Sequence, residues 1–370
     1  MQMLRRITSG PTYLPFIDGL RFLAIMPVVL EHFSDFYQKK NGTFISESFY
    51  DNYFLKYFIG SSSNGVLLFF AISGFVLALP FAQACISNTE RPDLKKYFLR
   101  RLTRLEPPYL IALTGIFLLN ILVLHKESLS SGLPHYVASL IYSHNFIFHE
   151  YPTINFVLWS LEVEVQFYLL APLLANIFKL KIGVRYFLFL VGILFFSILN
   201  HCYDFSYPTI LKYLQYFIAG FWAADLYLNF GKISTKNLFY DVVGIGAIII
   251  IWTGVISNGI FLPIIILLAI YCIQKSVFWE KILGLSMFTI VGGMCYSIYM
   301  LHYPAMAFLL NRFTFISERG MPAFLISLIL VVIIILIVSA LFFILIERPC
   351  MNKDWPKQLW SFITMKKTGK

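Results

Sequence analysis

Ten apolar stretches of membrane length run through the chain, at about residues 14–36, 62–86, 109–124, 155–178, 186–201, 209–229, 238–257, 259–274, 286–310 and 322–346. A helix needs about 20 such residues to cross a bilayer, because each adds 1.5 Å and the hydrocarbon core is ~30 Å thick. Within that core every backbone N–H and C=O must find a partner in the protein, and helices supply it segment by segment. The expected fold is therefore all-α: a polytopic membrane bundle of about ten transmembrane helices. Composition points the same way. Of the 370 residues, 59% are apolar and 13% charged, too few charges to cover a soluble fold of this size.

Lys and Arg orient the bundle. With the N-terminus cytoplasmic and ten alternating helices, 21 fall on the cytoplasmic side and seven on the other, with Arg21 inside the first helix. That asymmetry is what the positive-inside rule expects, and it places both termini in the cytoplasm. The resulting parts are a cytoplasmic segment at 1–13, a membrane domain at 14–347 and a basic cytoplasmic tail at 348–370. The first stretch does not read as a cleaved signal peptide, since Asp18, Arg21, Pro27 and His32 interrupt it. The net charge of +10 is dispersed over short loops rather than gathered on one face, so nucleic acid is not an expected partner. Five isolated Cys offer neither a disulfide framework nor a zinc motif. His125, His135, His144 and His149 lie in the outward segment 125–154 at spacings matching no compact ligand motif. They are expected to be scattered interfacial side chains, and no metal is expected.

Polar groups inside the apolar stretches carry more information, because a charge at the centre of a membrane helix costs about 2.5–3.5 kcal/mol on insertion scales. The first stretch holds Asp18, Arg21, Glu31 and His32; the fourth holds Glu162, Glu164 and Gln166. Arg21 and His32 are eleven residues apart, hence on one helix face and about 16 Å apart along the axis. Asp18 can pair with Arg21 one turn away. Pro27, between them, takes away the hydrogen bond to the Leu23 carbonyl and is expected to kink the helix. A structural Arg–Asp clamp with a satisfied core His fits these residues as well as a catalytic line does. Glu162 and Glu164 are 200° apart on a helix, so they cannot face the same wall. Asp225, near a helix end, fits a side chain that snorkels to the interface. The cations at 95, 96, 100, 101 and 104 interleave with Phe98, Leu99, Leu102 and Leu105, an amphipathic interfacial helix expected to end at Pro107–Pro108. Such a helix can attract anionic headgroups or clamp phosphate.

In this order the segments resemble the acyltransferase 3 family of membrane acyltransferases. Ile17-Asp18-Gly19-Leu20-Arg21 leading to His32 is similar to its opening signature, and Gly65 to Phe75, including Ser73, to its second block. Arg100-Arg101-Leu102-Thr103-Arg104 resembles its basic block. Trp159 to Tyr168 resembles its acidic block, with Glu164 at the matching position; Ser297 to Pro304, including His302, and Glu347-Arg348-Pro349 resemble the closing blocks. The likeness runs from residue 15 to 350. Two departures are Glu162, where a small or polar residue is usual, and Val165, where a second acid is common. No SGNH-type domain is read after the membrane domain, so any chemistry it supplies elsewhere is expected from another protein.

The resemblance implies transfer of an acyl group, most often acetyl, from acyl-CoA to a carbohydrate hydroxyl on a surface or secreted glycan, in the bacterial inner membrane. It implies His32 as general base with Glu164 in support, acetyl-CoA as co-substrate bound by Arg21, Arg101 and Arg104, and Asp18, Ser73, Trp159, Tyr168, Ser297 and His302 as substrate-binding or supporting residues. The partners implied are acyl-CoA, a glycan or glycolipid acceptor and membrane lipids. A covalent route through Ser73 or Ser297 stays open. A transporter or flippase of glycans is the competing reading, since intramembrane Arg, His and Glu serve transport equally well.

Overall fold

A computed structural model describes residues 2–7, 13–41, 64–203, 205–231, 236–256, 259–312, 321–352 and 354–355. Most of the outward segment 37–61 and the basic tail beyond 355 lie outside the described residues. Among those described there is no β-strand. The helices are α1 (Pro15–Asn41), α2 (Asn64–Ile86), α3 (Leu94–Leu122), α4 (Leu129–Leu140), α5 (His144–Phe148), α6 (Trp159–Leu174) and α7 (Ile182–Cys202). Then follow α8 (Ile210–Phe230), α9 (Leu238–Thr253), α10 (Leu262–Lys275), α11 (Trp279–Leu283), α12 (Ser286–Gly293), α13 (Cys295–Arg312) and α14 (Met321–Phe342). A helix covers each of the ten apolar stretches. Five helical runs, at 64–86, 94–122, 156–179, 182–202 and 322–350, are long and apolar enough to cross a membrane, and α9 and α10 are shorter apolar helices. The chain is an all-helical integral membrane protein.

Close backbone approach fixes the centre. α2 and α8 cross at glycines: a Cβ on Gly74 would strike the Phe217 carbonyl, and one on Gly220 the Ala71 carbonyl. Small residues let membrane helices meet backbone to backbone, where van der Waals contact rather than the hydrophobic effect drives association. Around this crossing Phe70, Phe167 and Phe217 stack, with Phe167 and Phe217 centroids 4.0 Å apart.

A proline inside a helix removes a donor from the carbonyl four residues earlier, and at four of the seven such prolines among the described residues a side chain from another element supplies one. Trp252 Nε1 donates to the Leu23 carbonyl freed by Pro27, at 3.1 Å. Trp355 Nε1 donates to the Thr103 carbonyl freed by Pro107, at 2.9 Å. The Tyr97 hydroxyl donates to the Tyr168 carbonyl freed by Pro172, at 3.2 Å. Asn155 Nδ2 donates to the Met300 carbonyl freed by Pro304, at 2.9 Å. This replacement of lost helical bonds is what makes proline tolerable where no water can help.

It also explains a correction. Pro107 and Pro108 do not end the amphipathic segment; α3 runs unbroken through both. At 29 residues it is about 44 Å long, and the cations at 95, 96, 100, 101 and 104 all fall in its first eleven residues. A second correction concerns Asp225, which is fully buried and accepts from Arg185 Nε at 3.0 Å rather than snorkelling. The ninth apolar stretch is two helices, broken at Met294 after Gly292–Gly293. There Gly292 lies so close to α1 that a Cβ would meet the Asp18 carbonyl.

Segment 125–154, one of the two largest segments between apolar stretches, carries two helices. α4 turns back along α3: the Tyr109 hydroxyl donates to the Ser139 carbonyl at 2.7 Å, and Phe117 stacks on Tyr136 at 4.4 Å. α5 then folds under α6. Glu162, buried at the start of α6, accepts from the Asn145 backbone N–H at 2.8 Å and so caps α5. Its carboxylate satisfies an amide of the first helical turn, which has no partner within the helix.

Candidate active site

The basic end of the bundle gathers the N-terminal segment, the start of α1, the first half of α3 and the chain around Glu347. Asp18, 1% exposed, accepts from Arg6 at 2.9 Å, Arg21 at 2.5 Å and the Tyr13 hydroxyl at 2.9 Å. Burial and the adjacent Asp18 carboxylate push the Tyr13 phenol up to about 12, so it remains a donor near neutral pH. Two guanidiniums against one carboxylate leave this knot positive. The Arg101 guanidinium carbon lies over the Tyr97 ring, 3.7 Å from its centroid, and 5.5 Å from that of Tyr168, a contact a planar cation makes readily. Arg104 lies in the same region within electrostatic reach of Arg6 and Glu347, and its buried Nε has no hydrogen-bond partner among the described residues.

A groove of about 370 Å³ runs from this end along α3 and α6. Lys95, Arg101, Glu106, Tyr142, Glu164 and Tyr168 contribute its polar groups, between Phe98, Leu102, Leu105 and Leu169. Ser73 Oγ donates to Glu164 Oε1 at 2.5 Å. Ser297, wholly buried, donates both its N–H (3.1 Å) and its hydroxyl to Glu347. Both serine hydroxyls are thus committed to carboxylates.

His32 lies eleven residues further along α1, in another setting. Its ring stacks on His302 at 5.3 Å and meets Phe156 and Tyr303 edge-on, at 6.2 and 5.3 Å. His302 is fully buried, and its Nδ1 is 2.9 Å from the Ile298 carbonyl. A carbonyl only accepts, so Nδ1 of a neutral His302 carries the proton and Nε2 a lone pair. That Nε2 is buried and unpartnered among the described residues. Phe156 and Tyr303 also line a second cavity, of about 330 Å³, at the C-terminal end of α3, with Asn120, Lys126, Tyr151, Thr153 and Pro304. Trp159 packs nearby against Tyr151, Phe70 and Tyr213.

The expected residues therefore fall into two groups. Asp18, Arg21, Arg101, Arg104, Ser73, Glu164, Tyr168 and Ser297 surround the basic end and its groove; His32, His302 and Trp159 border the opposite cavity. Glu164 binds Ser73, and the imidazole beside His32 is that of His302. Neither of these two cavities is lined by Arg21 or His32 itself. Sequence reasoning missed Arg6 and Tyr13 as partners of Asp18, Tyr299 as the phenol that bonds Ser160 at 2.6 Å, and the meeting of His135 with His144. Only the Pro-minus-four carbonyls could have told of Trp252 and Asn155, and then only that some donor was required.

Relatives extend this picture. The chain is 26% identical over 334 residues to O-acetyltransferase OatA of Staphylococcus aureus (strain NCTC 8325 / PS 47), covering 81% of this chain and 51% of that protein. It is 29% identical over 186 residues to peptidoglycan O-acetyltransferase OatA of Listeria monocytogenes serovar 1/2a, covering 48% and 26%. It is also 28% identical over 177 residues to the putative peptidoglycan O-acetyltransferase YrhL of Bacillus subtilis (strain 168), covering 45% and 24%. The chain spans about half the length, or less, of these curated relatives. No solved structure matches it. The profile of the acyltransferase domain family Acyl_transf_3 matches residues 14–347; with nearly the whole chain inside that match, this protein is a member of that family.

Proposed function

We propose that the chain is a membrane-embedded O-acetyltransferase that moves an acetyl group from acetyl-CoA to a carbohydrate hydroxyl of a surface or secreted glycan. The observation that carries this reading is the division of the site: a largely apolar groove carrying Lys95 and Arg101 close to the Asp18 arginine knot, and a separate aromatic cavity beside His32. Both termini and the basic end face the cytoplasm of the inner membrane in this reading, and about ten helices span it, in keeping with the lysine and arginine bias.

Coenzyme A is cytoplasmic and carries several phosphate charges. Arg21, Arg101 and Arg104 supply forked donors for them, and the net positive Asp18 knot lowers the cost of holding an anion there. The apolar groove walls suit the neutral arm that leads to the thioester. On the far side, Tyr151, Phe156 and Tyr303 offer flat faces to a sugar ring, and Asn120 and Thr153 offer hydrogen bonds to its hydroxyls. His32 takes the proton of the attacking hydroxyl as the new O–C bond forms. The C–S bond then breaks, and the departing thiolate recovers that proton from the imidazolium. His302, tied to the Ile298 carbonyl, holds the His32 ring plane from one side. Glu164 and Tyr168 position the groove end through Ser73 and Arg101. The names of the relatives support peptidoglycan as one acceptor class.

The test is release of free CoA and transfer of labelled acetyl to glycan oligomers by the purified chain in proteoliposomes. His32→Ala should lower turnover by 10²-fold or more, the range for losing a positioned base, while His201→Ala, exposed on α7, should not. Arg101→Ala should raise the KM for acetyl-CoA. Glycan movement across the bilayer without CoA release would favour transport and overturn the proposal.

A further inference from the structure

We propose that His135, His144 and Glu150 form a zinc site at the end of the bundle remote from the basic cluster, clipping α4, α5 and the turn after them together. The observation is convergence. His135 Nδ1 and His144 Nε2 are 2.9 Å apart, Glu150 Oε1 is 3.9 Å from His135 Nδ1, and the three atoms lie within 4.8 Å of one another. They come from three pieces of chain, spaced nine and six residues apart, which no linear ligand motif spans.

The donor set selects the ion. Two neutral imidazoles and one carboxylate suit zinc, with a water completing the tetrahedron, whereas magnesium and calcium prefer all-oxygen ligands. Zinc holds each nitrogen at about 2.0–2.1 Å, so two tetrahedral nitrogens sit about 3.4 Å apart. The rings need to separate by only about half an ångström from their present contact. Glu150 is free to make the larger adjustment, because its side chain is 52% exposed. That exposure is also the route by which an ion enters.

The two imidazoles are held in place from behind. His144 is fully buried at the first position of α5. The next residue, Asn145, is fixed twice to α6: its N–H donates to Glu162 and its Nδ2 to the Trp159 carbonyl at 3.1 Å. Phe148 lies against both rings, 4.2 Å from His135 and 4.9 Å from His144. Packing against Phe148 and the anchoring of Asn145, rather than a hydrogen bond, hold the His144 ring, whose buried Nδ1 has no hydrogen-bond partner among the described residues. This gives Glu162 a use beyond capping, since it fixes the helix that presents one ligand. The proposal is independent of the acyl-transfer reading, because none of the three side chains lines either cavity.

The experiment uses the full chain in detergent, freed of any affinity tag and stripped with a chelator. Zinc uptake is titrated against a chromophoric chelator, thermal unfolding is followed with and without zinc, and cobalt(II) is added to read the visible bands of tetrahedral coordination. The expected result is one equivalent bound, a raised midpoint and a tetrahedral cobalt spectrum. Affinity should fall at least tenfold in His135→Gln and in His144→Gln, and less in Glu150→Gln. His149→Asn, in the same turn but packed against Tyr207 with centroids 4.5 Å apart, should bind as the parent does. Absence of zinc binding at micromolar concentrations overturns the proposal, as does an equivalent retained by both His variants. If a His variant does not fold, the parent protein's cobalt spectrum decides: an octahedral or absent spectrum overturns the site.

Discussion

Replacing Trp252 by phenylalanine deletes the donor that satisfies the Leu23 carbonyl, and that carbonyl has no helical donor because Pro27 occupies the position four residues on. An unsatisfied buried carbonyl costs about 1–3 kcal/mol, while hydrogen bonds between membrane helices measured by mutant cycles average about 0.6 and reach about 1.7 kcal/mol. Trp252→Phe should therefore lose about 1–2 kcal/mol through the polar contact alone, beyond whatever the smaller ring loses in packing. Pro27→Ala restores a backbone N–H at position 27 that can take over the Leu23 carbonyl. In that background the polar cost disappears and only the packing cost remains. A double-mutant cycle of Trp252→Phe and Pro27→Ala, read by equilibrium unfolding in mixed micelles, should yield a coupling energy of about 1–2 kcal/mol, above the ~0.3–0.5 kcal/mol scatter of independent sites. Strict additivity would refute the view that the indole repairs the proline break.

Gly220→Val should destabilise the protein by at least 1–3 kcal/mol, the usual cost of overpacking, because its side chain would drive into the Ala71 backbone; thermal unfolding in detergent reads this, and an unchanged midpoint would mean that the α2–α8 crossing is looser than described. Asp18→Ala strips both Arg6 and Arg21 of their carboxylate, and breaking a buried pair costs about 3–5 kcal/mol, so a loss below about 1 kcal/mol would show that water or lipid already satisfies those cations.

The places of the apolar helices were legible in the sequence because membrane length and apolarity are local properties. Every one of the ten stretches carries a helix, and Asp18–Arg21 pairing follows from helical spacing alone. The two glutamates 200° apart did diverge, one to α5 and one to Ser73. Their destinations were not legible, since a helical wheel gives an angle and not a neighbour. Pro107 and Pro108 misled for the same reason: sequence shows the lost N–H, but the indole of Trp355 that compensates lies some 250 residues away in the chain.

Sequence by itself determined the solvent this chain folds in, the places of its apolar helical stretches and the positions where a charge must find a partner. Those follow from transfer energies paid residue by residue. Tertiary structure alone decided which partner each buried group took: His302 rather than Glu164 beside His32, Arg6 as well as Arg21 on Asp18, His144 turned onto His135. Such pairings depend on how helices far apart in the chain cross, and a periodicity of 3.6 residues carries no record of that crossing.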